Sequence, residues 1–246
     1  MKKNFAYPEG SIHSVRVKLT WAQLELVKGG DKAFHVYIAG HESVVDEIRV
    51  EEKEGELIIS QPQYTVATGM ALKRWIQVCV RVPDGFKGEL DASTVSGMIS
   101  AHNINGDDIA VSTVSGPIHA NGIRGGHVGL RSISGAIAGE AIHAKHLLLR
   151  TVSGSAKLSG VHSAKSKVFT VSGKTSLALD DGCKSIDLQS ISGDITLLLK
   201  GPVKEASLRS LIGQYRLDEA LEKSDDGLDI SSTSVTGSLT VTAATE

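Results

Sequence analysis

Thr94-Val95-Ser96-Gly97 returns along the chain as Thr113-Val114-Ser115-Gly116, Ser132-Ile133-Ser134-Gly135, Thr151-Val152-Ser153-Gly154, Thr170-Val171-Ser172-Gly173 and Ser190-Ile191-Ser192-Gly193. Two weaker copies follow, Ser210-Leu211-Ile212-Gly213 and Ser234-Val235-Thr236-Gly237. The glycines step by 19, 19, 19, 19, 20, 20 and 24 residues. A fixed period near 20 marks stacked units, each too small to bury its own apolar face, so that a core forms only between neighbours.

Counting from each glycine shows which positions face inward. Two residues after it stand Ile99, Ile118, Ile137, Ala156, Thr175, Ile195, Tyr215 and Leu239, and seven after it Ile104, Ile123, Ile142 and Val161. Five before it stand Val111, Leu130, Leu149, Val168, Leu188 and Leu208. Steps of two keep one face of a strand, and a step of three changes parity, which requires a corner if apolar residues stay inside. Each coil therefore has about three short strand segments and three bends, with a rise of about 4.8 Å per coil. The fold class is all-β: a parallel β-solenoid, β-helix-like, with coils of about 19–20 residues. On this reading Gly97, Gly116, Gly135, Gly154, Gly173 and Gly193 are structural corners that adopt a positive φ. Ile118, Ile137, Val114, Ile133, Leu130 and Leu149 are expected to be buried.

Outward from the repeat, residues 1–89 read as an irregular β-strand region or cap continuous with the solenoid of residues 90–246. Val15, Val17 and Leu19 alternate with polar residues, as do Phe34, Val36 and Ile38, and Trp75 to Val82 is the strongest single strand before Pro83-Asp84-Gly85. No amphipathic helix is evident in this half. Residues 61–73 lack a period and read as a surface loop. Downstream, Asp218 to Lys223 has helix-forming composition with Asp218 as N-cap, an insertion in the penultimate coil. Ser238 to Thr242 reads as the last strand, with an exposed edge that invites end-to-end association.

The repeat, preceded by Val80-Arg81-Val82-Pro83 and by charged turns such as Glu54-Gly55-Glu56-Leu57, resembles a bacterial family labelled putative adhesin, a β-strand repeat domain of unknown function. The resemblance runs from about Ile12 to Val241. It implies a β-solenoid and carries no catalytic residues across. The chain departs from the strict motif at Ile212 and Thr236.

Composition narrows the function classes. A formal net charge of -2 gives no overall attraction to nucleic acid or an anionic membrane. The two cysteines, Cys79 and Cys183, lie far apart and read as reduced thiols. The first ten residues carry two lysines but no apolar run, so no signal peptide is expected. A location in the cytoplasm or peripheral to the envelope follows, and no transmembrane segment is expected.

Ser96, Ser115, Ser134, Ser153, Ser172 and Ser192 stack as a column. Nucleophilic use would need a base and an orienting acid in register, and none is there. A second set of columns places His127, His146 and Lys165 along one edge and Arg131, Arg150 and Arg209 along another, a candidate ribbon for a polyanion. Lys184 and Lys204 share the first edge when counted from the preceding glycine. Few aromatic residues interleave, so nucleic acid is disfavoured. His143 and His146 are expected on opposite faces of a strand. No cofactor and no metal site is expected. The reading is a non-enzymatic structural or interaction module, adhesin-like and associated with the cell surface or envelope, whose partner is a protein or surface polymer. A self-associating cytoplasmic scaffold, joined as a homo-oligomer through its solenoid ends, is one alternative. A carbohydrate-active β-helix enzyme is the other, and it would need converging carboxylates.

Overall fold

The protein is seen in a computed structural model that describes residues 1–62 and 75–244. Most of the expected 61–73 loop lies outside the described residues. One continuous sheet of 21 strands winds around a single apolar core that runs from Ile12 to Val241. The 19-residue step sets the register: Ile118 lies between Ile99 and Ile137, Val128 between Ile109 and Leu147, and Leu130 between Val111 and Leu149, all in parallel pairing. These residues are buried, so the inward columns stack as the periodicity requires.

The middle coils show the three corners. Between strands Ile137–Thr151 and Ala156–Thr170 the pairing passes over Ala141 and again over Lys145. The third corner is the Ser-Gly turn. There the expectation of a positive φ fails: Gly97, Gly116, Gly135, Gly154, Gly173 and Gly193 all lack it. Glycine is required by proximity instead. A Cβ on Gly116 would land on the carbonyl oxygen of Gly97, one on Gly135 on that of Gly116, and so on through Gly154, Gly173 and Gly193. The left-handed backbone belongs to a different corner, six residues after the repeat glycine, where Asn103, Gly122, Ala141 and Gly160 have φ of 55, 67, 55 and 59°.

Val114 and Ile133 also depart from expectation, at 40% and 49% exposed. The strand alternation carries one step further than assumed. Thr113, Ser132 and Thr151, three before the glycine, are the buried residues. The hydroxyls of the latter two fold back onto the turn: Ser132 Oγ donates to the Gly135 carbonyl at 2.7 Å and Thr151 Oγ1 to that of Gly154 at 2.8 Å. A buried hydroxyl is tolerated because it is hydrogen-bonded within its own turn. The valine or isoleucine that follows must then point out.

Both ends of the stack depart from chain order. Strand Leu228–Ser234 pairs with Ser185–Ser190 on one side and Val203–Ser210 on the other, and Leu239–Ala243 lies between Ile195–Leu199 and Tyr215–Leu217. The last coil of the sequence is thus inserted, and Ser238 to Thr242 is not an end. Ser238 anchors it by donating from both its amide and its hydroxyl to Asp194, which holds that carboxyl below the usual range. The open end is formed by Val203–Ser210 and Tyr215–Leu217. Residues 218–223 form a turn rather than the expected helix, with Asp218 Oδ1 accepting from the Ala220 amide. Leu221 in that turn packs against the core.

The N-terminal end uses the same device and then closes it. Strand Ser14–Leu19 lies between Glu56–Ser60 and Glu89–Thr94, so the first coil of the sequence is also internal. Beyond it the sheet turns antiparallel: Ala33–Gly40 pairs with Ile76–Val82, Lys2–Pro8 with Ala33–Gly40, and Arg49–Lys53 with Glu56–Ser60. A single helical turn, Glu42–Val45, which the sequence reading missed, buries Val44 and Val45. Gln61 ends the Ser-Gly column: its Oε1 accepts from the amides of Thr20, Trp21 and Ala22, where a preceding coil would have supplied carbonyls.

Candidate binding groove

Strands bury one face and present the other, and here the outer face is dished. On the side that carries strands Asn105–Thr113, Arg124–Ser132 and the second halves of Ile137–Thr151 and Ala156–Thr170, the outward column six residues before each glycine reads Ala110, Gly129, Leu148 and Lys167. Two positions with almost no side chain lower the floor between taller neighbours. An open groove of about 840 Å³ results. Its walls carry the basic side chains His127, Arg131, His146, Lys165 and Lys167.

The first edge of the ribbon is formed in register: His127 pairs with His146, and His146 with Lys165. The two imidazoles stack with centroids 4.9 Å apart and planes 11° from parallel. His127 Nδ1 lies 2.8 Å from Asp108 Oδ1, so its outer neighbour holds it in place. Arg131 pairs with Arg150 on the second edge. Arg150 sits over the Phe169 ring at 5.0 Å, drawn off the groove by a cation–π contact. Arg209 does not join them. Phe169, Gln189 and Thr233 intervene strand by strand, which puts it roughly 19 Å from Arg150 at about 4.8 Å per strand.

Lys184 leaves the first edge. Lys165 pairs with Ser185, because the extra residue of that coil is taken up in the turn before Ser185. Lys204 falls at a register shift between Val203 and Glu205 and lines the far end of the groove. Lys167 is a groove cation that counting along the two named edges passed over. The column that holds it begins with Ala110 and Gly129, and the signal lies in that smallness rather than in charge. The cationic stretch is bounded by carboxylates, Asp108 at one end and Asp187, Asp229 and Glu205 at the other.

The remaining candidates have structural partners. Ser115, Ser134 and Ser153 donate to carbonyls of the preceding coil, those of Val95, Val114 and Ile133, at 3.1, 3.1 and 3.2 Å. His143 and His146 are not on opposite faces of one strand. The corner at Lys145 separates them, and His143 lies beside His162, with ring centroids 5.8 Å apart and planes tilted by 39°. Burial pushes the thiols of Cys79 and Cys183 up, which keeps both protonated and poor nucleophiles at neutral pH. No group of three or more metal-ligating side chains occurs among the described residues, and among them no helix is long and apolar enough to cross a membrane.

Against known proteins, the family model described as Toastrack DUF4097 matches residues 12–246. Three solved structures share the fold over nearly the whole chain. A "putative adhesin" from Parabacteroides distasonis is 12% identical with a TM-score of 0.61, covering 99% of this chain and 97% of that one. A "putative adhesin" from Parabacteroides merdae is 11% identical with a TM-score of 0.52, covering 99% and 96%. One from Bacteroides fragilis is 13% identical with a TM-score of 0.50, covering 99% and 97%. No curated protein matches the chain.

Proposed function

We propose that this chain, which belongs to the Toastrack DUF4097 family, is a non-enzymatic interaction module that holds a segment of anionic polymer in its outer groove. The observation that carries this reading is the convergence of His127, Arg131, His146, Lys165 and Lys167 around the low floor of Ala110 and Gly129. A rigid sheet face fixes cations at strand spacing without loop ordering, which suits a repeating anionic ligand. The neutral, shallow floor accepts the polymer's backbone while the walls take its charges. The adhesin names of the solved structures fit an anionic polymer of a cell surface as the partner, and envelope association follows from that choice. Turnover is not part of this reading, because the groove's carboxylates bound the cationic stretch rather than converge within it.

Binding of heparin, used as a sulfated probe, tests the proposal. With about four charge contacts, affinity should fall by tens of fold between about 50 and 200 mM salt. Arg131→Ala and Lys165→Ala should each weaken binding several-fold. Arg150→Ala should weaken it less, since that side chain rests on Phe169. Binding that ignores salt and all three changes would overturn the assignment, and shortening of an anionic polysaccharide on incubation would replace it with an enzyme.

A further inference from the structure

The open end of the stack has a self-complementary edge. Strand Val203–Ser210 pairs with Leu228–Ser234 on one side, and on the other it has no partner strand among the described residues beyond a bridge from Val203 to Lys223. Its inward residues Ala206 and Leu208 are only partly buried, as is Tyr215 on the neighbouring strand, so the core is left incompletely covered there. Leu211 and Ile212 beside them are 78% and 74% exposed.

We infer that a second copy of this chain covers this edge, through an antiparallel pairing of Val203–Ser210 with itself about a two-fold axis at Ser207. That register sets Glu205 opposite Arg209 of the partner copy, and Arg209 opposite its Glu205, on the outer face. On the inner face it sets Ala206 opposite Leu208, twice. Neither Glu205 nor Arg209 makes an ion pair within the chain among the described residues. Glu205 also sits directly beside Asp229 on the adjacent strand, a like-charge neighbour that a facing arginine offsets. The other end cannot pair this way. A two-fold at Glu51 in strand Arg49–Lys53 would set Arg49 against Lys53 and Glu51 against itself, and strand Lys2–Pro8 ends in a proline. One adhesive end and one blocked end give a closed dimer rather than a filament. Because Lys204, Glu205 and Ser207 line the far end of the groove, the two grooves would run into one another across the axis.

Sedimentation of the full chain tests the pairing. The wild type should be a concentration-dependent dimer. Arg209→Glu places two like-charged pairs across the axis and should weaken it about tenfold or more, as should Glu205→Arg. Mixing those two variants restores both opposite-charge pairs, so a heterodimer of near wild-type affinity is expected. Ser207→Cys should cross-link to its own copy on mild oxidation, because facing Cα atoms in an antiparallel pair lie about 4.5–5.5 Å apart, within disulfide reach. A wild-type monomer at concentrations on the order of hundreds of micromolar overturns the inference. So does a dimer indifferent to both charge changes, a mixture that does not pair, or growth into filaments.

Discussion

The Ser-Gly corner and the corner six residues beyond it both turn the chain, and glycine occurs at both, for unrelated reasons. At Gly116 the backbone is ordinary but the neighbouring coil's Gly97 carbonyl occupies the place a Cβ would take. At Gly122 the φ is 67°, and what a Cβ would meet is the end of the Asn103 side chain. The first corner excludes every side chain. The second only favours residues that tolerate left-handed backbone, which is why Asn103 and even Ala141 stand in its column. A recurrent glycine in a stacked fold therefore reports either contact between coils or dihedral demand within one, and the partner residues in its column tell which.

The largest expected effect comes from filling the first corner. Gly135→Val would drive a branched side chain into the Gly116 carbonyl, and backbone cannot give way without separating the coils. A loss above about 5 kcal/mol, seen as insoluble or unfolded protein, is expected. Circular dichroism and a melting curve on the soluble fraction check it.

The next effect separates the two sides of the same turn. Ile137→Asp buries an unpaired carboxylate in a fully covered layer and should cost about 4 kcal/mol or more. Ile133→Asp, four residues earlier and about half exposed, should stay within about 1 kcal/mol. Urea unfolding of both variants would blur the distinction only if the strand alternation ended one residue sooner than it does.

The smallest effect has the opposite sign. Ala141 holds φ at 55° with a Cβ that disfavours it. Ala141→Gly should stabilise by about 0.5–1 kcal/mol, the relief of left-handed strain less the added chain entropy. That is a rise of about one to three degrees in Tm, readable by calorimetry.

The period and the inward columns were legible because apolar residues at fixed offsets have one physical use in a repeat, so Ile118, Ile137, Leu130 and Leu149 could be placed without coordinates. The role of the Ser-Gly column was not, since close approach between coils and positive φ both select glycine. Val114 and Ile133 were misread because an apolar side chain next to a corner looks inward, while the residues that do face in, Thr113 and Ser132, are polar, and Ser132 satisfies its hydroxyl within the turn. Spatial order at the ends was hidden for another reason. A repeat fixes register within a coil, not which coil lies beside which, so nothing in Ser234-Val235-Thr236-Gly237 says that it sits between Gly193 and Gly213. The inserted coil also sets one strand more, that of Thr233, between Arg150 and Arg209 than chain order does.

Gly116→Ala and Gly122→Ala, two changes in one coil, test the comparison most directly when their unfolding free energies are measured side by side in urea. The two-corner account predicts that Gly116→Ala costs at least twice as much, about 4 kcal/mol or more against about 1–2 kcal/mol for Gly122→Ala. An equal or larger loss at Gly122 would contradict it and return the Ser-Gly glycines to a dihedral role.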